Sequence, residues 1–300
     1  KMNTRKDKYD ISGKVHIREG EEKIHAMMED YEGVIIWDLP SQIRNRYLKY
    51  CFSHSIRCYM SPKISDIILL GTDRIHLFDT PLLMCRNQGL SMEQRAAKRV
   101  LDIIVSGLGI IVSSPIMLII AIAVKAYDGG PVFYLQDRLT YQGKEFRIRK
   151  FRSMCVDSEK NGARLASKHD SRITPVGHVL RNLHLDELPQ LFNVFMGDMS
   201  LVGPRPERDV IMQEYEQEIP EFHYRLKVKA GLTGYAQVYG KYNTTPYDKL
   251  KLDLFYIENY SFLLDIKLLF MTVKIFFQKE VSEGVDDNQK NALKDSEDKK

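Results

Sequence analysis

The sequence predicts an α/β module at the N-terminus, a long apolar helix, and a mixed α+β domain after that helix. Residues 1–92 alternate short apolar runs with a helical pattern, which is typical of a small α/β layer. Residues 103–124 carry no charged side chain, and residues 126–280 combine charged segments with Gly and Pro motifs. A chain of 300 residues has room for about two domains of roughly 150 residues each.

The composition narrows the class of protein. Hydrophobic residues at 44% and charged residues at 28% exclude a wholly disordered chain. The mean hydropathy of -0.31 excludes a polytopic membrane protein but leaves room for one membrane segment. The net charge is only +4 and no Lys/Arg block dominates, so no nucleic-acid partner is predicted. The cysteines form no C-x-x-C pair, which favours a reducing compartment over a disulfide framework or zinc site.

The N-terminal segment 1–92 is predicted to be an α/β (Rossmann-like) module. Residues 33–39 are typical of a buried strand, Ser41–Ser53 of a helix, and residues 56–60 and Ile64–Leu70 of two further extended segments. A strand, a helix and a strand in this order favour parallel pairing. Because no G-x-G-x-x-G fingerprint is present, we expect a structural or regulatory role rather than dinucleotide binding.

The uncharged segment 103–124 is long enough to enter a membrane. As a helix of 22 residues it would reach roughly 33 Å, about the thickness of a bilayer core. Pro115 lies in its middle and predicts a sharp kink, because proline removes a backbone donor and clashes with the preceding turn. The hydroxyl groups of Ser113 and Ser114 are placed to satisfy the backbone groups that Pro115 frees.

Basic residues flank this segment on both sides. Arg95, Lys98 and Arg99 precede it and Lys125 follows it. Basic flanks at both ends are typical of a helix that dips into one leaflet and returns to the cytoplasmic face. A straight membrane-spanning helix with a tolerated proline and a buried helix of a soluble protein are the alternatives.

A cluster of cations follows at residues 147–152, where four of six residues are Arg or Lys. In an extended strand Lys150 and Arg152 share one face, and Phe151 points to the other. Two cations on one face can clamp a pyrophosphate. The alternative is a solvated charged strand.

Two adjacent carboxylates, Asp186 and Glu187, precede Pro189. Because proline is tolerated in the first turn of a helix, we expect a helix to start near Asp186. The free backbone N–H groups of a helix N-terminus suit a phosphate, although acidic residues also cap helices there without any ligand.

Two further turns have the composition of a ligand site. Arg205 stands between two prolines, which fix its backbone and limit the entropy lost when it binds an anion. Gly231 and Gly234 allow a backbone to approach a ligand closely, or simply form a tight turn before a strand.

Together and in this order, these segments resemble the bacterial sugar transferase family, the monotopic polyprenyl-phosphate phosphoglycosyl transferases. The resemblance covers residues 95–280 and rests on the Ser-Pro-broken apolar segment, KFRSM (150–154), LDELPQ (185–190), SLVGPRPE (200–207) and AGLTGYAQV (230–238). Residues 79–83 resemble the α/β module that follows transmembrane helices in the large members of the family.

The resemblance implies an enzyme that passes a sugar 1-phosphate from a UDP-sugar to polyprenyl (undecaprenyl) phosphate, releasing UMP. This is the first membrane step of exopolysaccharide, capsule or other glycoconjugate synthesis. The family's acidic dyad falls on Asp186, the nucleophile of a ping-pong reaction, and Glu187, and both are implied ligands of Mg²⁺. An intermediate on a carboxylate divides one difficult transfer into two easier steps. A non-catalytic membrane-anchored adaptor on the same scaffold is the alternative.

The resemblance also implies where the remaining parts lie. The substrate phosphates would be bound by Lys150, Arg152, Arg181, Arg205 and Lys241. A membrane helix at residues 95–125 would be re-entrant, with its break at Ser114 and Pro115. A catalytic domain would follow at residues 126–280, on the cytoplasmic face of the bacterial plasma membrane. The composition of residues 281–300, charged and with almost nothing apolar, separately predicts a disordered tail. A homo-oligomer is compatible with the resemblance, which does not name the sugar.

Two residues depart from the family pattern. His184 stands where relatives more often have a small hydroxyl residue, and it is either an ordinary surface histidine or tunes the dyad. Lys241 stands where relatives often have Arg, so the bidentate fork of a guanidinium is absent there. Farther on, the apolar stretch 254–277 is predicted to lie either at the membrane interface or in the core.

Overall fold

A computed structural model describes residues 10–85, 89–156, 170, 172–240 and 244–276. The described residues form two compact units, the first ending at Lys63 and the second beginning at Ile64. This division comes earlier in the chain than the boundary near residue 92 that the composition predicts. The predicted tail 281–300 lies outside the described residues.

The first unit has the predicted order of a strand, a helix and a strand. Helix α1 (Glu21–Glu29) precedes β1 (Gly33–Ile36), α2 (Ser41–Ser53) and β2 (Arg57–Met60). Strands β1 and β2 pair in parallel, with Gly33 opposite Arg57. The apolar faces of the two helices and of β1 enclose a small core of Ile24, Met28, Ile36, Tyr47 and Cys51.

The segment Ile64–Leu70 is a helix, α3, so the prediction of an extended segment there is wrong. Its apolar residues recur at helical spacing, and Ile64 and Ile67 are buried in the core of the second unit. A short apolar run cannot be assigned to helix or strand by periodicity alone. Packing against the rest of the unit therefore decides the conformation here. An antiparallel hairpin follows, with β3 (Asp73–Leu77) paired to β4 (Thr80–Met84).

The apolar segment lies within one helix, α4 (Met92–Asp128), which is long and apolar enough to cross a membrane. Ser91 and Gln94 form a capping box at its start, and Gly129 ends it in the left-handed conformation. The predicted break at Ser114 and Pro115 does not interrupt the helix.

Serine hydroxyl groups explain why the helix continues through the proline. Ser114 Oγ donates to the carbonyl oxygen of Ile111 at 2.8 Å, the acceptor that Pro115 leaves without its usual N–H partner. Ser113 Oγ donates to the carbonyl oxygen of Gly109 at 2.6 Å. The predicted role is thus confirmed for Ser114 alone, because the carbonyl group of Gly109 is the usual acceptor of the Ser113 N–H and is not freed by Pro115.

Helix α4 packs on the second unit with one face and exposes apolar side chains on the other. Near its C-terminal end, Met117, Ile120 and Val124 are buried against Phe151 and Leu180. The exposed apolar side chains are Ile103, Ile104, Leu108, Ile111, Val112, Ile116, Leu118, Ile119 and Ile122.

The rest of the second unit mixes helices and strands, as predicted. Its elements are β5 (Phe133–Leu139), β6 (Glu145–Phe151), α5 (Pro175–Asn182), α6 (Gln190–Met196), β7 (Ser200–Val202), α7 (Asp209–Glu218), β8 (Gly231–Thr233), α8 (Tyr235–Tyr239), α9 (Pro246–Glu258) and α10 (Phe262–Phe276). Strands β5 and β6 pair antiparallel, and β7 and β8 pair in parallel. The central core includes Val194, Val202, Phe222, Leu250 and Leu268.

A buried ionic network ties the start of α4 to α10. Lys98 Nζ donates to Asp265 Oδ2 at 2.6 Å and to the Tyr256 hydroxyl at 3.0 Å, and that hydroxyl donates to Asp265 Oδ1 at 2.7 Å. Buried charges are stable only when paired and hydrogen-bonded in this way. The arrangement fixes the first turns of α4 on the second unit.

A second buried contact ties α4 to β7. Asp102 Oδ1 accepts hydrogen bonds from Ser200 Oγ at 3.0 Å and from the Leu201 N–H at 2.9 Å. Strand β7 leads directly into the turn that carries Arg205. The helix and this turn are therefore joined through one short strand.

Helix α10 combines the two alternatives predicted for residues 254–277. Asp265 and Leu268 are fully buried in the second unit. Phe262, Leu263, Phe270 and Val273 lie on the exposed part of the helix. One face of α10 thus belongs to the core, and another presents apolar side chains outward.

Candidate active site

The two adjacent carboxylates lie on a 3₁₀ turn, Leu185–Glu187, and not at the start of an α-helix as predicted. The α-helix α6 begins only at Gln190, after Pro189. His184 precedes the turn in the left-handed conformation, with φ 53°. Chain reversal at His184 and the tight turn place Asp186 and Glu187 between α5 and α6.

Glu187 joins three motifs that are far apart in the sequence. Lys150 Nζ, from the end of β6, donates to Glu187 Oε1 at 2.6 Å. Arg205 Nη2, from the turn between β7 and α7, donates to the same oxygen at 3.2 Å. The structure thus places next to the dyad two of the cations that the resemblance assigns to the substrate phosphates, each paired with Glu187.

The charges around Glu187 keep it ionised. Burial opposes ionisation, but the positive charges of Lys150 and Arg205 outweigh it and hold the pKa of Glu187 well below its usual range. Glu187 therefore serves as a fixed negative charge that orients two cations.

Asp186 has the opposite electrostatic environment. It is 8% exposed, and burial raises its pKa, with the negative charge of Glu187 adding to the rise and the charges of Lys150 and Arg181 opposing it. Within the part of the chain that the structure describes, no group donates a hydrogen bond to its carboxylate. Adjacent carboxylates with pKa values shifted in opposite directions are typical of residues with different chemical roles.

Arg181 lies on the dyad side of α5. Its Nε donates to Ser153 Oγ at 2.9 Å, and burial lowers its pKa, an effect that the negative charge of Asp186 opposes. Arg181 is thus held close enough to Asp186 for their charges to interact.

Arg152 lies elsewhere, and Lys241 is outside the described residues. The Arg152 guanidinium pairs with Asp128 at the end of α4. Strand β6 ends at Phe151, so the alternation of faces that would place Arg152 beside Lys150 stops there. The structure therefore does not bring Arg152 to the dyad.

Arg205 is held in place by side chains that sequence motifs do not predict. Arg225 Nη2 donates to the carbonyl oxygen of Arg205 at 3.0 Å and pairs with the buried Asp253 at 2.8 Å. Arg138 Nη1 donates to the carbonyl oxygen of Pro206 at 3.0 Å. These residues stand alone in the sequence, and no local motif marks them. Glu207 is the exception, because it completes the PRPE motif and pairs with Arg138 and Arg225.

Burial shifts the pKa values of this supporting group. It raises the pKa of Asp253 to about 6, although the charge of Arg225 opposes the rise. It lowers the pKa of Arg138 to about 10, with Glu207 opposing the shift. The turn around Arg205 is thus supported by charges that are themselves buried and paired.

Among the described residues, no group of three or more His, Cys, Asp and Glu side chains is placed to hold a metal ion. The dyad nevertheless fits one particular mode of metal binding. Mg²⁺ in phosphate-transfer sites is commonly bound through one or two carboxylates, with substrate phosphates and water completing the octahedron. Asp186 and Glu187 could supply these carboxylates, and the first is free of hydrogen bonds from other described groups.

Comparison with known proteins shows which family the chain resembles over most of its length. The family model described as bacterial sugar transferase matches residues 93–279. The chain is 44% identical over 232 residues to a UDP-N-acetylgalactosamine-undecaprenyl-phosphate N-acetylgalactosaminephosphotransferase of Aeromonas hydrophila, covering 76% of this chain and 54% of that protein. It is 38% identical over 262 residues to a UDP-glucose:undecaprenyl-phosphate glucose-1-phosphate transferase of Klebsiella pneumoniae, covering 84% and 54%.

A protein of the same description from Escherichia coli (strain K12) is 40% identical over 208 residues, covering 68% of this chain and 43% of that protein. The chain thus spans about half the length of these curated relatives. The matched region contains the dyad, Lys150 and Arg205.

Proposed function

Because the chain belongs to the bacterial sugar transferase family, we propose that it transfers a sugar 1-phosphate from a UDP-sugar to polyprenyl phosphate and releases UMP. The observation that carries this proposal is the dyad, in which Lys150 and Arg205 share one oxygen of Glu187 beside the buried Asp186. Cations held by a fixed carboxylate can stabilise the oxygens of a phosphoryl group in transfer.

We propose that the reaction proceeds in two steps through Asp186. In the first step, an Asp186 carboxylate oxygen bonds to the β-phosphorus of the UDP-sugar. The bond from that phosphorus to the oxygen bridging the two phosphates breaks, and UMP leaves with the electron pair. In the second step, an oxygen of the polyprenyl phosphate bonds to the same phosphorus and Asp186 is released. Each step exchanges one P–O bond for another and needs no further reactant.

The side chains near the dyad have separate parts in this scheme. Lys150 and Arg205 bind the phosphate oxygens, and Glu187 holds both cations in place. Arg181 adds positive charge on the Asp186 side. Arg152 and Lys241 remain proposals from the family resemblance. A Mg²⁺ ion bound by Asp186, Glu187 and the diphosphate would neutralise negative charge on the substrate.

The pH dependence of the first step should depend on Asp186. Its carboxylate must be ionised to attack, and burial raises its pKa, so single-turnover UMP release should rise with pH through a pKa above the usual aspartate value of about 3.9. The charge of Lys150 lowers the pKa of Asp186. Lys150→Met should therefore move the acid limb to higher pH, besides lowering the plateau.

The quantity to measure is the pH at which single-turnover UMP release reaches half of its plateau, and not the plateau rate itself. The exposed Lys144 offers a matched control, and Lys144→Met should leave the limb in place. An unchanged limb in Lys150→Met, or a move to lower pH, would contradict the assignment of Asp186 as the ionising group.

We further propose that α4 is re-entrant and that the second unit lies on the cytoplasmic face of the plasma membrane. Both ends of α4 contact the same unit, at Lys98 and at Val124, as a helix that enters and leaves one leaflet requires. Its exposed apolar face and basic flanks support the same topology. Oligomerisation remains a separate proposal from the family resemblance.

Two natural cysteines report on this topology. Cys85 precedes α4 and Cys155 follows it, and both are exposed. A membrane-impermeant maleimide should label neither in intact cells and both after lysis. Labelling of one and protection of the other in intact cells would show that α4 spans the membrane.

The experiment that tests the function is UMP release from a UDP-sugar by protein in detergent, with polyprenyl phosphate and Mg²⁺ present. UDP-glucose, UDP-galactose and UDP-N-acetylgalactosamine form the donor panel. Transfer of sugar phosphate to the lipid supports an enzyme. Binding without release of UMP from any donor would favour the adaptor alternative.

A further inference from the structure

One face of β5 presents polar side chains beside the dyad. Tyr134, Gln136 and Arg138 alternate along the strand and are half-buried. The antiparallel register places Tyr134 directly opposite Lys150. Directly opposed residues project from the same face of a sheet, with their Cβ atoms about 4.5–5.5 Å apart. Tyr134 therefore stands next to the lysine that binds Glu187.

This row is joined to the segment that carries Arg205. Gln136 Nε2 donates to the Tyr134 hydroxyl at 2.7 Å, and Arg208 Nη2 donates to the same oxygen at 3.4 Å. Arg208 follows Arg205 by three residues in the same connection between β7 and α7. We call Tyr134, Gln136 and Arg208 the β5 ledge.

The position of the β5 ledge favours contact with the hexose of the UDP-sugar over contact with its uracil base. The hexose is bonded directly to the β-phosphate, whereas the uracil base is separated from it by the α-phosphate and the ribose. A side chain one cross-strand neighbour away from Lys150 is therefore within reach of the hexose ring when the cations hold the β-phosphate. The base would lie farther from this point.

The chemistry of the ledge also suits a hexose. A phenolic hydroxyl, a carboxamide and a guanidinium together offer several donors and acceptors to ring hydroxyl groups. The three side chains are half-buried, so contact with a ligand would remove them further from water. A site that hydrogen-bonds a substrate hydroxyl discriminates strongly, because a wrong substrate leaves its polar groups without partners.

We propose that the β5 ledge forms hydrogen bonds with the hydroxyl groups of the hexose and so determines which UDP-sugar is used. This inference rests on the proposed function. Tyr134 is its central residue, since two donors orient its hydroxyl group and its position in the strand is opposite Lys150. The ledge makes no bond to the reacting phosphorus and sets specificity alone.

Tyr134→Phe tests this inference with little disturbance, because the ring stays and only the hydroxyl oxygen is lost. We would measure kcat/KM for UDP-glucose, UDP-galactose and UDP-N-acetylgalactosamine with polyprenyl phosphate. The value for the preferred donor should fall roughly tenfold, as expected for a lost hydrogen bond, and the value for the poorest donor should fall much less. Arg208→Lys, which removes the guanidinium fork, should change the same ratio. Tyr31→Phe, an exposed tyrosine of the first unit, is the matched control and should leave all three values unchanged.

The outcomes separate the two proposals. Wild-type transfer with a changed donor ratio in Tyr134→Phe supports the ledge. An equal fall for all donors, together with weaker inhibition by UMP, would show that the ledge binds the nucleoside and would overturn the inference. Unchanged values in both variants would overturn it as well. Absence of transfer from every donor by the wild-type protein would instead overturn the proposed function and the ledge together.

Discussion

Asp186→Asn should abolish turnover, lowering the rate of sugar-phosphate transfer by at least about 10³-fold, as is typical when a nucleophile is removed. The amide keeps the shape of the side chain but has no anionic oxygen to bond to phosphorus. Wild-type protein mixed with a UDP-sugar and Mg²⁺ alone should release up to one equivalent of UMP and gain the mass of a sugar phosphate. Neither event should occur in Asp186→Asn.

Two further variants make this result specific. Asp209→Asn changes an exposed aspartate in the first turn of α7 and should keep normal turnover. Glu187→Gln should slow turnover because Lys150 and Arg205 lose the charge that holds them, yet any modified residue should still be Asp186. Near-normal turnover in Asp186→Asn would refute the nucleophile. UMP release that requires polyprenyl phosphate would favour direct transfer in a ternary complex.

Gly231→Ala should unfold the second unit or destabilise it by more than about 3 kcal/mol. A Cβ atom at Gly231 would lie 2.1 Å from the Gly203 nitrogen and 2.4 Å from the Thr233 carbonyl oxygen. Both are backbone atoms, so no side-chain rotation relieves the contact. The parallel pair β7–β8 would have to separate. Arg205 lies in the turn just after β7, so its position would change as well.

The measurement is the midpoint of chemical unfolding in detergent, monitored with a probe that reports on the second unit. Gly107→Ala provides the control, because its Cβ would meet a Phe195 ring carbon at 3.5 Å, an ordinary contact. Alanine is also favoured over glycine within a helix by about 1 kcal/mol. Equal unfolding midpoints for Gly231→Ala and wild type would show that β7 and β8 are less closely packed than the structure has them.

The site residues that could be predicted from the sequence lie in motifs that follow one another in a characteristic order along the chain. Asp186, Glu187, Lys150 and Arg205 stand in segments whose composition points to phosphate chemistry, and the structure brings all four together. Their meeting depends on the pairings of Glu187 with Lys150 and Arg205, which are 37 and 18 residues away in the sequence. The motif order, through its resemblance to a family, predicted that meeting, and local periodicity did not.

The residues that sequence reasoning missed depend on tertiary contacts. Arg225 and Asp253 form a buried pair that supports Arg205, but each is a single charged residue in an ordinary helical pattern. Arg152 belongs to a recognisable motif, yet it turns to Asp128 because β6 ends one residue before it. Helix α3 was mistaken for a strand because its seven residues span only two turns. In each case the deciding partner lies in a distant part of the chain.

The buried contacts of Lys98 and Asp102 bear on how a water-soluble form of this protein would have to be made. Deleting the chain from its start to the end of α4 would remove the only cation that contacts Asp265 among the described residues, leaving a carboxylate charge in the core. It would also remove the acceptor for Ser200 and the Leu201 N–H, at the strand that leads to Arg205. Such a fragment would lose more than the proposed membrane attachment, because α4 also completes the interior of the second unit. Solubilisation is therefore better achieved by replacing exposed side chains such as Leu108, Val112 and Ile119 with polar ones, while the inward face of α4 is left intact.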